Sequence, residues 1–553
     1  MAVDTESAGL SPYHHPMRMV QLGDLRHGWA FPVQWAGAAV DIANRAPWLA
    51  MHNRPYDQRV LKRHAPGWRQ RWELTEDTLP AGHICDSLKL AGLKPRAALE
   101  IDSRALKGEQ ILHDGMAANH WTWDTVPDDW EPYWAYSALD PVLTAHLWRK
   151  FAPQVTGPYR EAYDLEKATT RISAAMMDAG LAVDIPFIES AMGRVSAYHD
   201  RAMAYLSAVH GIRTVNSGAQ VMAGLNRAGI PTQVWTATGE PAISKDALAF
   251  YKANYTQHRD LIQCVQWARK AGDINGKYLA KFLALHVDGV MHYSINTCRA
   301  RTSRMSVTDP PMQTFDRDEP IIRGSYIPRP GHVFISVDAD QMEMRETAHF
   351  SGDANLIQDF LDADASGQSF FVLAASRIYG QDIAKSDPRY NWTKNASYAQ
   401  VYGSGLENAA VTAGVPVEQM RPVYYGFQQR YPGVPALMNR LIKQGKSGGR
   451  PYATAIDGRK LYVRRGHEYA ILNTMCQGSG AVILKRGLVD LDAAGLGQYL
   501  RLTLHDEYLM ECPKEDAEEV LRKTEQILTN RTDYRVPITW SGKILKDRWV
   551  KAL

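Results

Sequence analysis

Cysteine is scarce in this chain and shows no pairing pattern. Cys85, Cys264, Cys298, Cys476 and Cys512 share no short spacing, which argues against a disulfide framework and against a zinc site, and favours a reducing compartment. No apolar run approaches the roughly eighteen residues of a membrane span, and no signal-peptide pattern opens the chain; a cytoplasmic location is expected. Low-complexity tracts and internal repeats are missing, which excludes linker, solenoid and fibrous architectures. A dominant charge is lacking as well, because 63 Lys and Arg against 60 Asp and Glu leave a net +3. Any contact with nucleic acid must therefore come from local basic patches. Arg464-Arg465, Lys485-Arg486 and the stretch from Arg299 to Arg304 are candidates, each with ordinary solvated surface as the plainer reading. What is present is a globular composition, 45% hydrophobic over 553 residues, enough for several domains with their own cores.

Within that composition the run Leu502-Thr503-Leu504-His505-Asp506-Glu507-Tyr508-Leu509-Met510 stands out. Two carboxylates and a histidine interrupt an apolar, strand-like pattern. Burying an ionised carboxylate costs several kcal/mol unless a cation compensates. The plain alternative is a tight hairpin with Asp506-Glu507 as a solvated turn. A second strand-like run, Val333 to Val337, ends at Asp338 and is followed by helical spacing through Met342, Arg345 and His349. Asp338 is thus placed at a strand's end, where a carboxylate can project into a cleft. Asp340 fits a helix N-cap, and Glu343 its capping-box partner. Further on, Lys394, Tyr398 and Tyr402 recur every four residues and share one face of a helix. An amphipathic helix with core tyrosines explains that spacing equally well.

These segments together resemble DNA polymerase family A. DADQMEMRETAHFSGDANLI (338–357) is similar to its motif A, KNASYAQVYGSG (394–405) to motif B, and LHDEYLMECP (504–513) to motif C. TSRMSVTDPPMQTF (302–315) resembles the segment before motif A. GRKLYVRRGHEYAILNTMCQGSGAVILKR (458–486) resembles the segment before motif C, above all in phage-type members. The resemblance implies primer-template DNA and dNTPs as partners, and two Mg²⁺ ions (Mn²⁺ as an alternative) held by Asp338, Asp506 and the backbone carbonyl of Ala339. Two divalent ions about 3.5–4 Å apart stabilise both the attacking and the leaving oxygen of an in-line phosphoryl transfer. Lys394 would grip the triphosphate and protonate pyrophosphate, Tyr398 would lie against the sugar, and Glu343 packed by Tyr402 would exclude a ribose 2′-hydroxyl. Gln341 and Arg389 complete the implied nucleotide pocket. Arg304, Gln313, Asn473, Gln477 and His505 are implied DNA contacts, and Glu507 an auxiliary acid.

Four positions depart from the family pattern. Tyr390 stands where motif B usually has arginine, with Arg389 as a substitute one step away; Phe371 stands for a fingers histidine, Ser303 for glycine, and Tyr469 for arginine. Tyrosine at 398, where phenylalanine is commoner, implies weak discrimination against dideoxynucleotides.

Near the start, Asp4-Thr5-Glu6, then Asp57 after His52-Asn53-Arg54-Pro55, and Tyr136-Ser137-Ala138-Leu139-Asp140 follow in order. They resemble the three motifs of DnaQ-like 3′–5′ exonucleases. That likeness implies a proofreading site in which Asp4, Glu6, Asp57 and Asp140 hold two further Mg²⁺ ions and Tyr136 orients the attacking water. Only three residues precede Asp4, so its strand should be stubby or begin upstream.

The expected fold is α/β and α+β multidomain, an RNase H-like exonuclease domain followed by a right-hand polymerase. The boundaries are 1–158 exonuclease, 159–300 thumb, 301–350 and 435–553 palm, and 351–434 fingers. Pro153 to Pro158 reads as the hinge, and no thumb insertion for a processivity factor is evident. A monomeric phage replication enzyme, in the host cytoplasm if phage-encoded, is the functional expectation. The alternatives are a single-subunit RNA polymerase, or a DNA-binding exonuclease whose polymerase site has decayed.

Overall fold

The computed structural model describes residues 1–550 apart from 90, 237, 316–318 and 530–533. A five-stranded sheet forms first. Its central strand, Ala2–Ser7, pairs antiparallel with Met17–Gly23 and parallel with Leu49–Met51; Gly28–Pro32 and Thr75–Asp77 form the edges. Six residues suffice for the opening strand, and both Asp4 and Glu6 lie inside it. Alternation sends Val3 into an apolar core with Val20, Leu22, Leu49 and Leu61, and turns Asp4 and Glu6 to the other face. The long helix Glu131–Val155 packs on this sheet. The approach is so close that a Cβ on Gly28 would lie 1.8 Å from the Ala138 carbonyl oxygen. That contact demands glycine.

The expected hinge is shorter than its sequence suggests. Pro153 remains inside the helix, which runs to Val155, and four residues separate it from the next helix, Arg160–Ala179. Helices Ile185–His210 and Arg259–Asp273 follow, the latter continuing through a widened turn, Ile274–Leu279, into Ala280–Leu285. Helices from Met342–Ser351 to Gly433–Ser447 share a separate core around Phe360, Phe370, Phe427 and Tyr431.

A second sheet has four antiparallel strands in the order Leu500–Leu504, Glu507–Pro513, His332–Ala339, Trp540–Leu545. Its inner strands read as apolar runs because both faces are covered: Val333, Ile335 and Val337 are buried, and so are Phe334 and Leu509.

The regions meet across a fully buried ionic seam. Glu166 accepts from Arg459 Nη1 at 2.5 Å and from Lys485 Nζ at 2.7 Å, and Arg459 also pairs with Asp457. Burial alone would push the Glu166 carboxyl up, but Lys485 and Arg459 outweigh it and hold it at about 2. Lys485 is therefore not a DNA-facing patch, and Arg486 pairs with Glu161. Arg464 and Arg465 are exposed, as are Arg299 and Arg301.

Candidate functional site: two carboxylate centres

The sequence run around Asp506 folds as a hairpin, but its turn lies one residue earlier than the Asp506-Glu507 expected, and Glu507 is a buried strand residue. Strands Leu500–Leu504 and Glu507–Pro513 form a hairpin whose turn is His505-Asp506, with His505 at φ +54°. Asp506 is half-buried in that turn, and its carbonyl accepts from the Ala339 amide at 3.1 Å. Asp338, also half-buried, faces Glu507 in register on the neighbouring strand. Asp338 and Asp506 thus border one small cavity of about 60 Å³, with Met312, Phe315, Arg323, Leu504, His505 and Glu507 around them. Two aspartates with surface remaining, on adjacent strand ends, form an all-oxygen donor set that fits Mg²⁺ or Mn²⁺.

Glu507 behaves differently from the auxiliary acid expected. It is 4% exposed, and its oxygens accept from Ser336 Oγ (2.6 Å), Arg323 Nη2 (3.0 Å), Arg323 Nη1 (3.3 Å) and Trp549 Nε1 (3.2 Å). Burial pushes its carboxyl up, and Arg323 with these donors brings it below the usual range.

The start of helix Met342–Ser351 also corrects a sequence expectation. Its N-cap is Gln341, left-handed at φ +56° and without a capping side-chain bond. Asp340 instead accepts from Ser541 and Thr539 hydroxyls. Glu343, freed of a capping role, accepts from the Tyr402 hydroxyl at 2.8 Å and from Arg304 Nη2 at 2.6 Å. The buried amide oxygen of Gln341 has no hydrogen-bond partner among the described residues. One turn on from Glu343, Glu346 is buried with both oxygens unbonded among the described residues, and burial pushes its acid well up.

Helix Pro388–Tyr402 places exposed Lys394, half-buried Tyr398 and Tyr402 on one side, the two tyrosine rings 6.3 Å apart. Arg389 does not join them. It lies about 140° around the helix from Lys394, locked onto Asp387 at 2.7 Å and over the Tyr379 ring. Tyr390 and Phe371 pack edge to face at 6.3 Å, so the two departures from the family pattern fill one another's space. Among the implied DNA contacts, Gln313 spends its amide on the Val307 and Met305 backbone. Asn473 is half-buried with its amide oxygen unbonded among the described residues, Gln477 neighbours the Tyr402 hydroxyl, and His505 is exposed.

The N-terminal centre is denser. Carboxylate oxygens of Asp4, Glu6 and Asp140 all lie within 4.8 Å of one another. Burial, then the Asp140 charge, raises Asp4 to about 8; Glu6 and Asp57 are pushed well above the ordinary range, also chiefly by burial. Asp57 sits just outside that group, one oxygen accepting from Thr5 at 2.7 Å and the other unbonded among the described residues. Carboxylates crowded in this way, Asp140 buried and Asp4 and Glu6 half-buried, favour a divalent cation. Lys94, which the sequence did not single out, reaches into the group: its buried ammonium donates to Asp140 at 2.7 Å and lies 3.2 Å from the Tyr136 ring centroid. A lone lysine in Leu93-Lys94-Pro95-Arg96 carries no sequence signal for such a place.

A strand-end aspartate pair and a lysine- and tyrosine-bearing helix are thus carried on one mixed α/β fold. The family profile of "DNA polymerase family A" matches residues 192–550, and the chain belongs to that family. It is a DNA-directed DNA polymerase by that membership, which sets aside the RNA polymerase alternative. The DNA polymerases of Mycobacterium phages D29 and L5 are each 28% identical to it, covering 94% of this chain and 88% and 87% of theirs. The thermostable DNA polymerase I of Thermus aquaticus is 25% identical over 75% of this chain and 51% of its own length. Among solved structures, the POL domain of Pol1 from M. smegmatis, in complex with DNA primer-template and dNTP, superposes with a TM-score of 0.80 at 22% identity. It covers 99% of this chain and 95% of that one, a likeness of fold. No helix among the described residues is long and apolar enough to cross a membrane.

Proposed function

We propose that this polymerase extends DNA primers at the Asp338–Asp506 centre and removes 3′-terminal nucleotides at the Asp4–Glu6–Asp140 centre, as a monomeric replication enzyme of a phage acting in the host cytoplasm. Residues 1–158 act as the exonuclease, 159–300 as the thumb, 301–350 with 435–553 as the palm, and 351–434 as the fingers. The observation that carries the extension reading is the placement of Asp338 and Asp506 on adjacent strand ends around one cavity. For the exonuclease reading it is the convergence of three acids from distant sequence positions within 4.8 Å.

At the extension site Asp338, Asp506 and the Ala339 carbonyl would hold the ions, and Lys394 would meet the triphosphate. Bound Mg²⁺ supplies charge stabilisation for the attacking and leaving oxygens. Glu343, fixed by Tyr402 and Arg304, presents a carboxylate wall against a ribose 2′-hydroxyl. At the N-terminal site Asp4, Glu6, Asp57 and Asp140 would hold ions, and Tyr136, under the Lys94 ammonium, would orient the water. Arg389, in its pair with Asp387, takes no part.

Primer extension and trimming of a mismatched 3′ end, measured side by side, test both readings. Asp506→Ala should lower extension by about a thousandfold or more, the scale of several kcal/mol of lost charge stabilisation, and leave trimming intact. Asp4→Ala with Glu6→Ala should do the reverse. Extension unaffected by Asp506→Ala, or trimming unaffected by the double change, would refute the corresponding half.

A further inference from the structure

Glu507 lies between the two aspartates of the extension site in a literal sense. It is bonded to Asp506 through one peptide and sits opposite Asp338 across the sheet. Its carboxylate is held by four hydrogen bonds, three of them converging on Oε1, from Ser336, Trp549 and Arg323 Nη1, and one reaching Oε2, from Arg323 Nη2. What holds it comes from three separate parts of the chain: Ser336 on the Asp338 strand, Arg323 on the helix Pro320–Gly324, and Trp549.

These holders are themselves held. The Arg323 guanidinium carbon lies 4.2 Å from the Trp549 ring centroid and 5.8 Å from that of Phe315. The Trp549 ring meets Tyr326 edge-on at 5.7 Å, and its amide donates to the Tyr326 carbonyl at 3.1 Å. Next to it, Arg548 pairs with Asp184 at 2.5 Å and donates to the Gly324 carbonyl at 2.6 Å. Trp549 is 1% exposed, and nothing about its ring reaches the cavity that Asp338 and Asp506 border.

We propose that Arg323 and Trp549 are positioning residues for nucleotidyl transfer, gripping Glu507 and thereby fixing the angle of the hairpin that carries Asp506 opposite Asp338. The inference rests on Asp338 and Asp506 being the ion-holding pair. The coupling is mechanical. A two-residue turn with His505 already in the left-handed region has little slack, so a shift of Glu507 is passed to Asp506. Displacements of the order of 1 Å at a reacting centre cost about a hundredfold in rate.

The test is steady-state primer extension by Trp549→Phe, Arg323→Lys, Glu507→Gln and the Trp549→Phe/Glu507→Gln double variant, with Asp506→Ala as reference. Trp549→Phe keeps an aromatic ring beside Arg323 and removes the indole N–H. It is expected to lower kcat about tenfold and raise the Mg²⁺ concentration needed for half-maximal rate, with KM for dNTP within about twofold. Arg323→Lys, which keeps the charge but not the two-pronged grip, should show the same pattern. The double variant should be no slower than Glu507→Gln alone, because Trp549 acts through Glu507. Melting temperature and primer-template affinity, measured on each variant, separate a lost fold from a lost position. A Trp549→Phe enzyme with wild-type kcat and Mg²⁺ dependence, or losses that multiply in the double variant, overturns the proposal while Asp506→Ala remains inactive. An active Asp506→Ala enzyme instead removes the reading on which it rests.

Discussion

At the N-terminal centre three acids crowd within 4.8 Å around the ammonium of Lys94, and burial keeps them above their ordinary range. At the sheet end, the third acid of the neighbourhood, Glu507, is paired with Arg323, which itself lines the cavity that Asp338 and Asp506 border. Both arrangements concentrate negative charge where a divalent ion would sit, but they offset its cost differently. The first places a cation among the would-be ligands. The second pairs its cation, Arg323, with the neighbouring Glu507.

The largest effect is expected at the buried seam between helix Arg160–Ala179 and the segment carrying Arg459 and Lys485. Glu166→Gln leaves Arg459 and Lys485 buried with their shared partner gone, and should cost about 3–5 kcal/mol of stability, read as a lower melting temperature and a loss of both activities above it. Next in size, Lys94→Met should lower trimming of a mismatched primer about a hundredfold while matched-primer extension stays within about twofold, because only the first centre contains that cation. Glu343→Ala should raise ribonucleotide incorporation by about tenfold or more in a competition assay, and leave trimming unchanged. The smallest effect is one of pH. Glu166 is held at about 2 in the fold, below its ordinary 4.5, so it stabilises the protein above 4.5 and loses that contribution as pH falls from there through about 2. The melting difference between wild type and Glu166→Gln should therefore be constant from pH 7 to about pH 5 and shrink below about pH 4.5.

Much of this was legible in the sequence, and the reason is local. Asp338 and Asp506 stand out because acids interrupt apolar strands, and Asp4, Glu6, Asp57 and Asp140 because they follow one another in a recognisable order. The residues that went unseen are those whose roles depend on distant partners. Lys94 meets Asp140 46 positions away, Arg323 meets Glu507 184 positions away, and Trp549 belongs to no motif read from the sequence. Lys485-Arg486 was misread for the same reason, since a basic pair looks alike whether it faces DNA or a buried glutamate 319 positions off. The capping box at Asp340 and Glu343 failed for a different cause. Gln341 takes a left-handed conformation that a residue string does not announce, and this frees Glu343 to meet Tyr402.

The contrast between the centres is tested most directly by Mn²⁺ titration calorimetry at pH 7, run in two buffers of different ionisation enthalpy on wild type, Asp506→Ala and Asp4→Ala/Glu6→Ala. Acids raised by burial must give up protons when an ion binds. Proton release should accompany binding in wild type and Asp506→Ala and vanish in Asp4→Ala/Glu6→Ala. Proton release that persists in the Asp4→Ala/Glu6→Ala protein, or that is missing from wild type, would contradict the account.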